Sequence, residues 1–249
     1  MHILVSNDDG IMAAGMRELV YHLAQTHRIT VVAPLIEQSG KSHAITTERP
    51  LEWKEYPSEE NIEWHSLDGT PSDCVKWALS HYLKNDMPDL TISGINKGYN
   101  LGSDALYSGT VAAAMESLFF GVPALALSVG HYRRGYGQDL YPVVEEFLAR
   151  YYGPNPSEKS LPSHILLNVN FPEEGPYTWD KVEQLQQGVQ LYLDSIEYQI
   201  ERRGKKYFWI GGRKHHDKEA YPTDVDRIHD GAITVVPLTW RQDGTDFTL

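Results

Sequence analysis

A single cysteine among 249 residues, Cys74, allows no disulfide within the chain and excludes metal sites built from several thiolates. Positive charge is also scarce. The 22 Lys and Arg face 34 Asp and Glu, which leaves a formal net charge of −12 and a pI near 5.3. Such a chain is not expected to coat a polymeric nucleic acid or an anionic membrane. If its ligand is an anion, the cationic help must be local: a metal, a helix N-terminus or a few placed bases. No apolar run approaches the ~20 residues of a membrane span, and mean hydropathy is −0.43. The start, Met1 to Asp8, lacks the basic segment and long apolar stretch of a secretory signal, so a cytoplasmic protein is expected. Two common nucleotide-binding fingerprints are missing as well. Gly94, Gly98 and Gly102 are spaced by four and do not form G-x-G-x-x-G, and Leu35 stands where a Walker loop ending in Gly40-Lys41-Ser42 needs its first glycine. With 41% apolar and 22% charged residues, the chain can still build a sizeable core, as one large domain or two modest ones.

The first half alternates strand and helix signals. His2 to Ser6 and Arg28 to Pro34 are short apolar runs, and helical spacing of Met16, Leu19, Val20, Leu23 and Ala24 predicts a helix over Gly15 to Gln25. Trp53 to Leu67 is more polar and reads as an edge strand or hairpin. Thr70 is placed to cap a helix, with Pro71 at its first position and Asp73 closing a capping box. Val75, Ala78, Leu79, Tyr82 and Leu83 would be its buried stripe. Strands follow at Asp89 to Ser93, Ala124 to Ser128 and His164 to Phe171. Helices are expected at Thr110 to Phe120, ended by Gly121, and at Gln138 to Tyr152. Gly153 to Ser163, with three prolines, reads as a loop. This alternation implies an α/β fold: a mostly parallel, Rossmann-like sheet with helices on both faces and the ligand site beyond the strands' carboxyl ends. The chain divides into a core at 1–178 and a β-rich region at 179–249. Within the second region, Tyr198 to Arg202 and Lys206 to Ile210 flank Arg203-Gly204-Lys205 as a protruding hairpin with Lys205-Lys206 at its tip, and Ala232 to Leu238 returns to the core as a last strand.

Asn7-Asp8-Asp9-Gly10 follows the first strand directly. Adjacent carboxylates repel, and a cation beside them relieves the repulsion; a solvated turn is the plainer reading of the same residues. Three Ser-Gly pairs fall on the same side of the expected sheet: Ser39-Gly40, Ser93-Gly94 and Ser108-Gly109. Ser108-Gly109-Thr110 opens a helix, so it is either a phosphate cradle or an ordinary N-cap. Asp8, Asp9, the Ser39 hydroxyl and the Asn96 amide carbonyl are hard oxygen donors, which suit Mg²⁺ or Mn²⁺ better than Zn²⁺. Other candidates are weaker. Asp68-Gly69-Thr70 is like an aspartyl-phosphatase loop whose nucleophilic aspartate is replaced by Ser66. His215-His216-Asp217 lies in a polar, basic stretch, and Cys74 falls among core positions. Tyr99 and Tyr107 could contact a base or simply pack.

Taken together, these stretches resemble the SurE family, the survival-protein nucleotidases. The resemblance rests on ILVSNDDG at 3–10, VVAPLIEQSGKSHAIT at 31–46, DGTPSDCVKWAL at 68–79, PDLTISGINKGYNLGSDALYSGTVAAAMES at 88–117, GVPALALS, LNVNFP and TDVDRIHDGAITVVPL. Departures are confined to Pro71-Ser72-Asp73 for the usual PAD and Val111-Ala112-Ala113 for a GAA-type helix start. The resemblance implies a metal-dependent phosphomonoesterase acting on nucleoside 5′-monophosphates, with 3′-nucleotides and short polyphosphate as further substrates. It implies one Mg²⁺ or Mn²⁺ per subunit held by Asp8, Asp9, Ser39 and Asn96, and phosphate contacts from Asn100, Ser108, Gly109 and Thr110. It also implies a homodimer or homotetramer formed by exchange of a C-terminal arm. Asp9 or Asp8 would take the proton from the attacking water, with Asp9 favoured. A non-catalytic nucleotide-binding regulator using the same loops is the alternative from another class.

Overall fold

Five consecutive buried residues, His2–Ser6, form strand β1, an interior strand of the sheet. The computed structural model describes residues 1–131, 137–152, 161–193 and 196–241. After β1 come helix α1 (Ala14–Leu23), β2 (Arg28–Pro34), β3 (Trp53–Glu55), β4 (Ile62–Leu67), α2 (Pro71–Trp77) and β5 (Leu90–Lys97). Then follow α3 (Gly109–Leu118), β6 (Ala124–Val129), α4 (Gly137–Tyr151), β7 (Leu166–Phe171) and β8 (Val182–Gln184). The remaining elements are β9 (Leu191–Leu193), β10 (Ile196–Arg202), β11 (Lys205–Ile210), β12 (Arg213–His215), α5 (Asp224–Arg227) and β13 (Ile233–Leu238).

Nine strands form one sheet in the order β3-β4-β2-β1-β5-β6-β7-β13-β8. The six from β4 to β7 are parallel, β3 is antiparallel to β4, and β13 is antiparallel to β7. Burial on both faces explains the continuous apolar runs. Ile3, Val5 and Leu125 face α1 and α4 through Leu19, Val144 and Phe147. On the other face, Leu4 and Val32 meet Cys74 and Val75 of α2, and Ala124 and Ala126 meet Ala114 and Leu118 of α3.

Several sequence expectations are met by visible local chemistry. Thr70 accepts the Asp73 N–H at 3.1 Å, while the Asp73 carboxylate accepts the Thr70 N–H at 2.9 Å, with Pro71 opening the helix. Ser108 caps α3 by accepting the Val111 N–H at 3.1 Å. Others are corrected. A π-helical turn at Ala78–Tyr82 follows α2 and leaves Tyr82 at the surface rather than in the buried stripe. Strand β5 does not stop at Ser93. It bulges at Gly94, whose φ of +131° suits only glycine and whose added Cβ would strike the Leu127 carbonyl, and then resumes with Asn96 opposite Ser128. In the β10–β11 hairpin, the turn is Arg203-Gly204 alone, both left-handed. Lys205 and Lys206 are therefore strand residues opposite Arg202 and Glu201, because a two-residue turn of this hand matches strand twist. Most of the proline loop expected after α4 lies outside the described residues. β8 and β13 extend the main sheet, so much of the region after residue 178 is continuous with it, while β9–β12 and β10–β11 form two separate ribbons.

Candidate active site

From β1 the chain winds to β2 and β4 on one side of the sheet, then crosses to β5 on the other. The crevice at the carboxyl ends of β1 and β5 is therefore the switch point of an open α/β sheet, where ligands bind. The Asn7 side chain closes the turn after β1, donating to the Gly10 carbonyl at 3.0 Å and accepting the Gly10 N–H at 3.2 Å. The Asp8 carbonyl accepts the Gln38 N–H at 2.7 Å, which joins this turn to the loop carrying Ser39. One Asp9 carboxylate oxygen lies 3.4 Å from the Lys97 N–H at the end of β5.

Asp8 is only 4% exposed, and its Oδ1 accepts the Thr110 hydroxyl at 2.5 Å. Burial raises the Asp8 pKa, against the hydrogen bonds from Thr110. Burial first, and then the neighbouring Asp8 charge, push Asp9 up to about 6. Glu37, absent from the sequence-derived set, adds a further negative field on both. Ser39 donates its hydroxyl to Glu37 at 2.8 Å. The Asn96 amide nitrogen donates to the Gly98 carbonyl at 3.0 Å, which leaves its oxygen to face another partner. Two crowded carboxylates beside neutral oxygen donors fit a hard divalent cation completed by water. Among the described residues, no group of three or more His, Cys, Asp and Glu could hold a metal, so a site built from imidazole or thiolate has no counterpart there.

A cleft of about 630 Å³ gathers Asp8, Ser39, Asn96, Asn100 and Ser108. The helix-start residues divide their work. Gly109 packs behind Asp8, where an added Cβ would come within 2.8 Å of the Asp8 Cβ and 3.0 Å of the Pro71 ring. Thr110 is fully buried and its hydroxyl is engaged by Asp8, so its side chain positions that carboxylate instead of facing the cleft. Asn100 is fixed from three sides. Its amide donates to Ser128 at 2.8 Å, its N–H donates to Asn170 at 2.8 Å, and its carbonyl accepts from Asn168 and Asn170. The sequence assigns no site role to Asn168 or Asn170, which lie inside LNVNFP. The available signal was two amides, two residues apart, inside an otherwise apolar buried strand.

The rival residues lie elsewhere. Asp68 is half-exposed and pairs with Arg49 at 2.9 Å. His215 pairs with Asp217, and His216 bonds the Val189 carbonyl and Asp226. Cys74 is fully buried, which pushes its thiol well above the usual range and makes it a packing residue.

Residues 3–194 match the family model described as Survival protein SurE. The chain belongs to the SurE family. A 5′-nucleotidase SurE from Thermoanaerobacter sp. (strain X514) is 37% identical over 238 residues, covering 96% of this chain and 92% of that protein. A 5′-nucleotidase SurE from Myxococcus xanthus (strain DK1622) is 40% identical over 237 residues, covering 95% and 86%. The crystal structure of a SurE protein from Aquifex aeolicus superposes with a TM-score of 0.77 at 30% identity, covering 98% of this chain and 95% of that one.

Proposed function

We propose that the chain hydrolyses nucleoside 5′-monophosphates to nucleoside and phosphate. The observation that carries this reading is the convergence, in one cleft at the β1/β5 crossover, of the buried Asp8 carboxylate, with Asp9 next to it in the chain, and the capped start of α3. The names of the relatives, 5′-nucleotidase SurE, support the same reaction. Asp8, Asp9, Ser39 and Asn96 would hold one Mg²⁺ or Mn²⁺. When bound, such a cation neutralises phosphoryl charge and acidifies water. Asp8, immobilised by Thr110, anchors the site, and Asp9, the less buried of the two, would accept the proton of the attacking water. The Asn100 amide, the Ser108 hydroxyl and the first N–H groups of α3 stabilise the equatorial oxygens as charge spreads over them. No described Cys or His lines this cleft, which favours direct attack by water.

The polar groups of the cleft address a phosphate and not the carbon that bears it, so 3′-nucleotides belong to the same substrate class. The net charge of −12 disfavours longer polyphosphates. No helix among the described residues is long and apolar enough to cross a membrane, and we place the enzyme in the cytoplasm, as a homodimer or homotetramer assembled through the β10–β11 arm. Phosphate release from AMP or GMP should require Mn²⁺ or Mg²⁺ and stop with EDTA. Nucleotide binding with no turnover at any metal concentration would instead identify a binding protein.

A further inference from the structure

The cleft is far roomier than a phosphate group requires, and part of its wall comes from outside the parallel core. The β9–β12 ribbon contributes Tyr192 and Lys214. This ribbon is latched to the turn that leads into α3. Asp104 accepts the Tyr192 hydroxyl at 2.8 Å, the Lys214 ammonium at 3.2 Å and the Gln190 amide, all on one carboxylate oxygen. Ser103 accepts the Gln190 N–H at 3.0 Å, and Gln187 donates to the Gly102 carbonyl at 2.8 Å. Lys214 lies 5.8 Å from the centre of the Tyr192 ring, so the ring is held by its hydroxyl and by a cation. Tyr107, immediately before the capping Ser108, lines the same cleft and is 63% exposed, and Tyr192 is 41% exposed. Two large aromatic side chains are thus left open to solvent in the cavity that holds the polar site, one of them fixed at considerable cost in side-chain freedom.

We propose that Tyr192, with Tyr107, forms a platform for an aromatic base, so that this chain selects phosphate monoesters carrying a planar ring over aliphatic phosphates. Asp104 is the positioning residue, since it bonds both Tyr192 and Lys214. The inference rests on the reading of the cleft as a phosphomonoesterase site and names what occupies its remaining volume. The sequence offers Tyr107, with Tyr99, as a candidate base contact; Tyr192 reaches the cleft from 85 positions beyond Tyr107, through the ribbon.

The test compares AMP with glycerol 2-phosphate, which has the ester but no ring, in the parent, Tyr192→Leu and Tyr192→Phe proteins. Stacking on one aromatic side chain leads to an expected loss of about tenfold in the AMP-to-glycerol-phosphate ratio of kcat/KM in Tyr192→Leu, carried by KM. Tyr192→Phe keeps the ring while losing the Asp104 bond, and should retain most of the ratio. Equal losses on both substrates, or Tyr192→Phe as impaired as Tyr192→Leu, would mean that Tyr192 only holds the ribbon, and would overturn the proposal. Calorimetric titration with adenosine, which needs neither metal nor turnover, separates this inference from the catalytic reading. Adenosine binding that weakens about tenfold in Tyr192→Leu supports the platform even if AMP is never hydrolysed. Hydrolysis of AMP with no adenosine binding to the parent leaves the enzyme and removes the platform.

Discussion

At Asp8, folding places a carboxylate out of water and beside a second one, an arrangement that costs stability unless a cation joins it. Asp8→Asn removes one of the two like charges yet keeps a carbonyl oxygen for the Thr110 hydroxyl. The variant should therefore lose about 10³-fold or more in turnover at saturating Mn²⁺, while its melting temperature in EDTA stays level or rises by about 2–4 °C per kcal/mol regained. Thermal scans beside phosphate-release assays check both halves, and full activity in the variant would remove Asp8 from the site. Thr110→Val tests the supporting bond. Removing a hydrogen bond that orients a metal ligand typically costs about 10–100-fold in metal affinity or activity. The expected signature is a higher Mn²⁺ concentration for half-maximal rate, with most of the rate recovered at saturation. A fall in maximal rate with no change in metal requirement would argue that Thr110 contacts substrate.

Between β2 and β3 the chain carries Ser39 on a loop without regular structure, and its neighbours hold it in place. Ser42 bonds the Leu106 and Tyr107 carbonyls, the Ala44 carbonyl accepts the Thr70 hydroxyl, and the Thr46 N–H reaches Asp73. His43 reaches Glu116 of α3 at 2.7 Å, and Lys76 of α2 reaches the same carboxylate at 2.8 Å. Burial pushes the Glu116 carboxyl up, but the bonds from His43 and Lys76 together outweigh it and hold it below its usual value of 4.5. A carboxyl whose pKa is lower in the fold than in the unfolded chain stabilises fully above the ordinary range and loses that contribution as pH falls through the folded value. Glu116→Gln should cost about 1–3 kcal/mol at pH 7, the lower part of the range because Lys76 is half-exposed. Urea unfolding should show the gap between parent and variant narrowing towards about pH 3; an equal gap at both pH values would assign the effect to packing. Contacts of this kind also mark the limit of what the sequence makes legible. The strands around β1, the Thr70 cap and the Asp8-Asp9 turn announce themselves locally, through apolar runs and short-range capping chemistry. The Thr110–Asp8 bond spans 102 positions and the His43–Glu116 bond spans 73, so no periodicity reports them. β8 is three partly polar residues that become a strand only because β13 is there to pair with. Gly94 looked like the end of a strand because glycine signals a break, whereas the neighbouring Leu127 backbone makes it a bulge.

On the scale of the whole molecule, the nine-stranded sheet covers its own faces with helices, but the β10–β11 hairpin does not cover its own. Ile200, Tyr207, Phe208, Trp209 and Ile210 are 43%, 53%, 58%, 69% and 83% exposed. In β11, Tyr207 and Trp209 point to one face and Phe208 and Ile210 to the other, so both faces of the ribbon are apolar. A two-stranded hairpin is marginal by itself in water, and contiguous exposed apolar surface of this kind marks an interaction site. In the proposed homo-oligomer, a second copy of the chain would supply a cover of fixed geometry, since symmetric assembly lets each arm bury the other's apolar faces. Light scattering after size exclusion should therefore give a mass of two or four times 28.3 kDa at micromolar concentration. Replacing Phe208 and Trp209 together by glutamate puts a charge on each face of the arm, and should shift the mass to a single chain while far-UV circular dichroism retains the signal of the α/β core. A parent that runs as one chain at about 10 μM, where a stable interface of standard size is saturated, would leave the hairpin without a homomeric partner. If the double variant keeps the parent's mass, assembly proceeds through another surface.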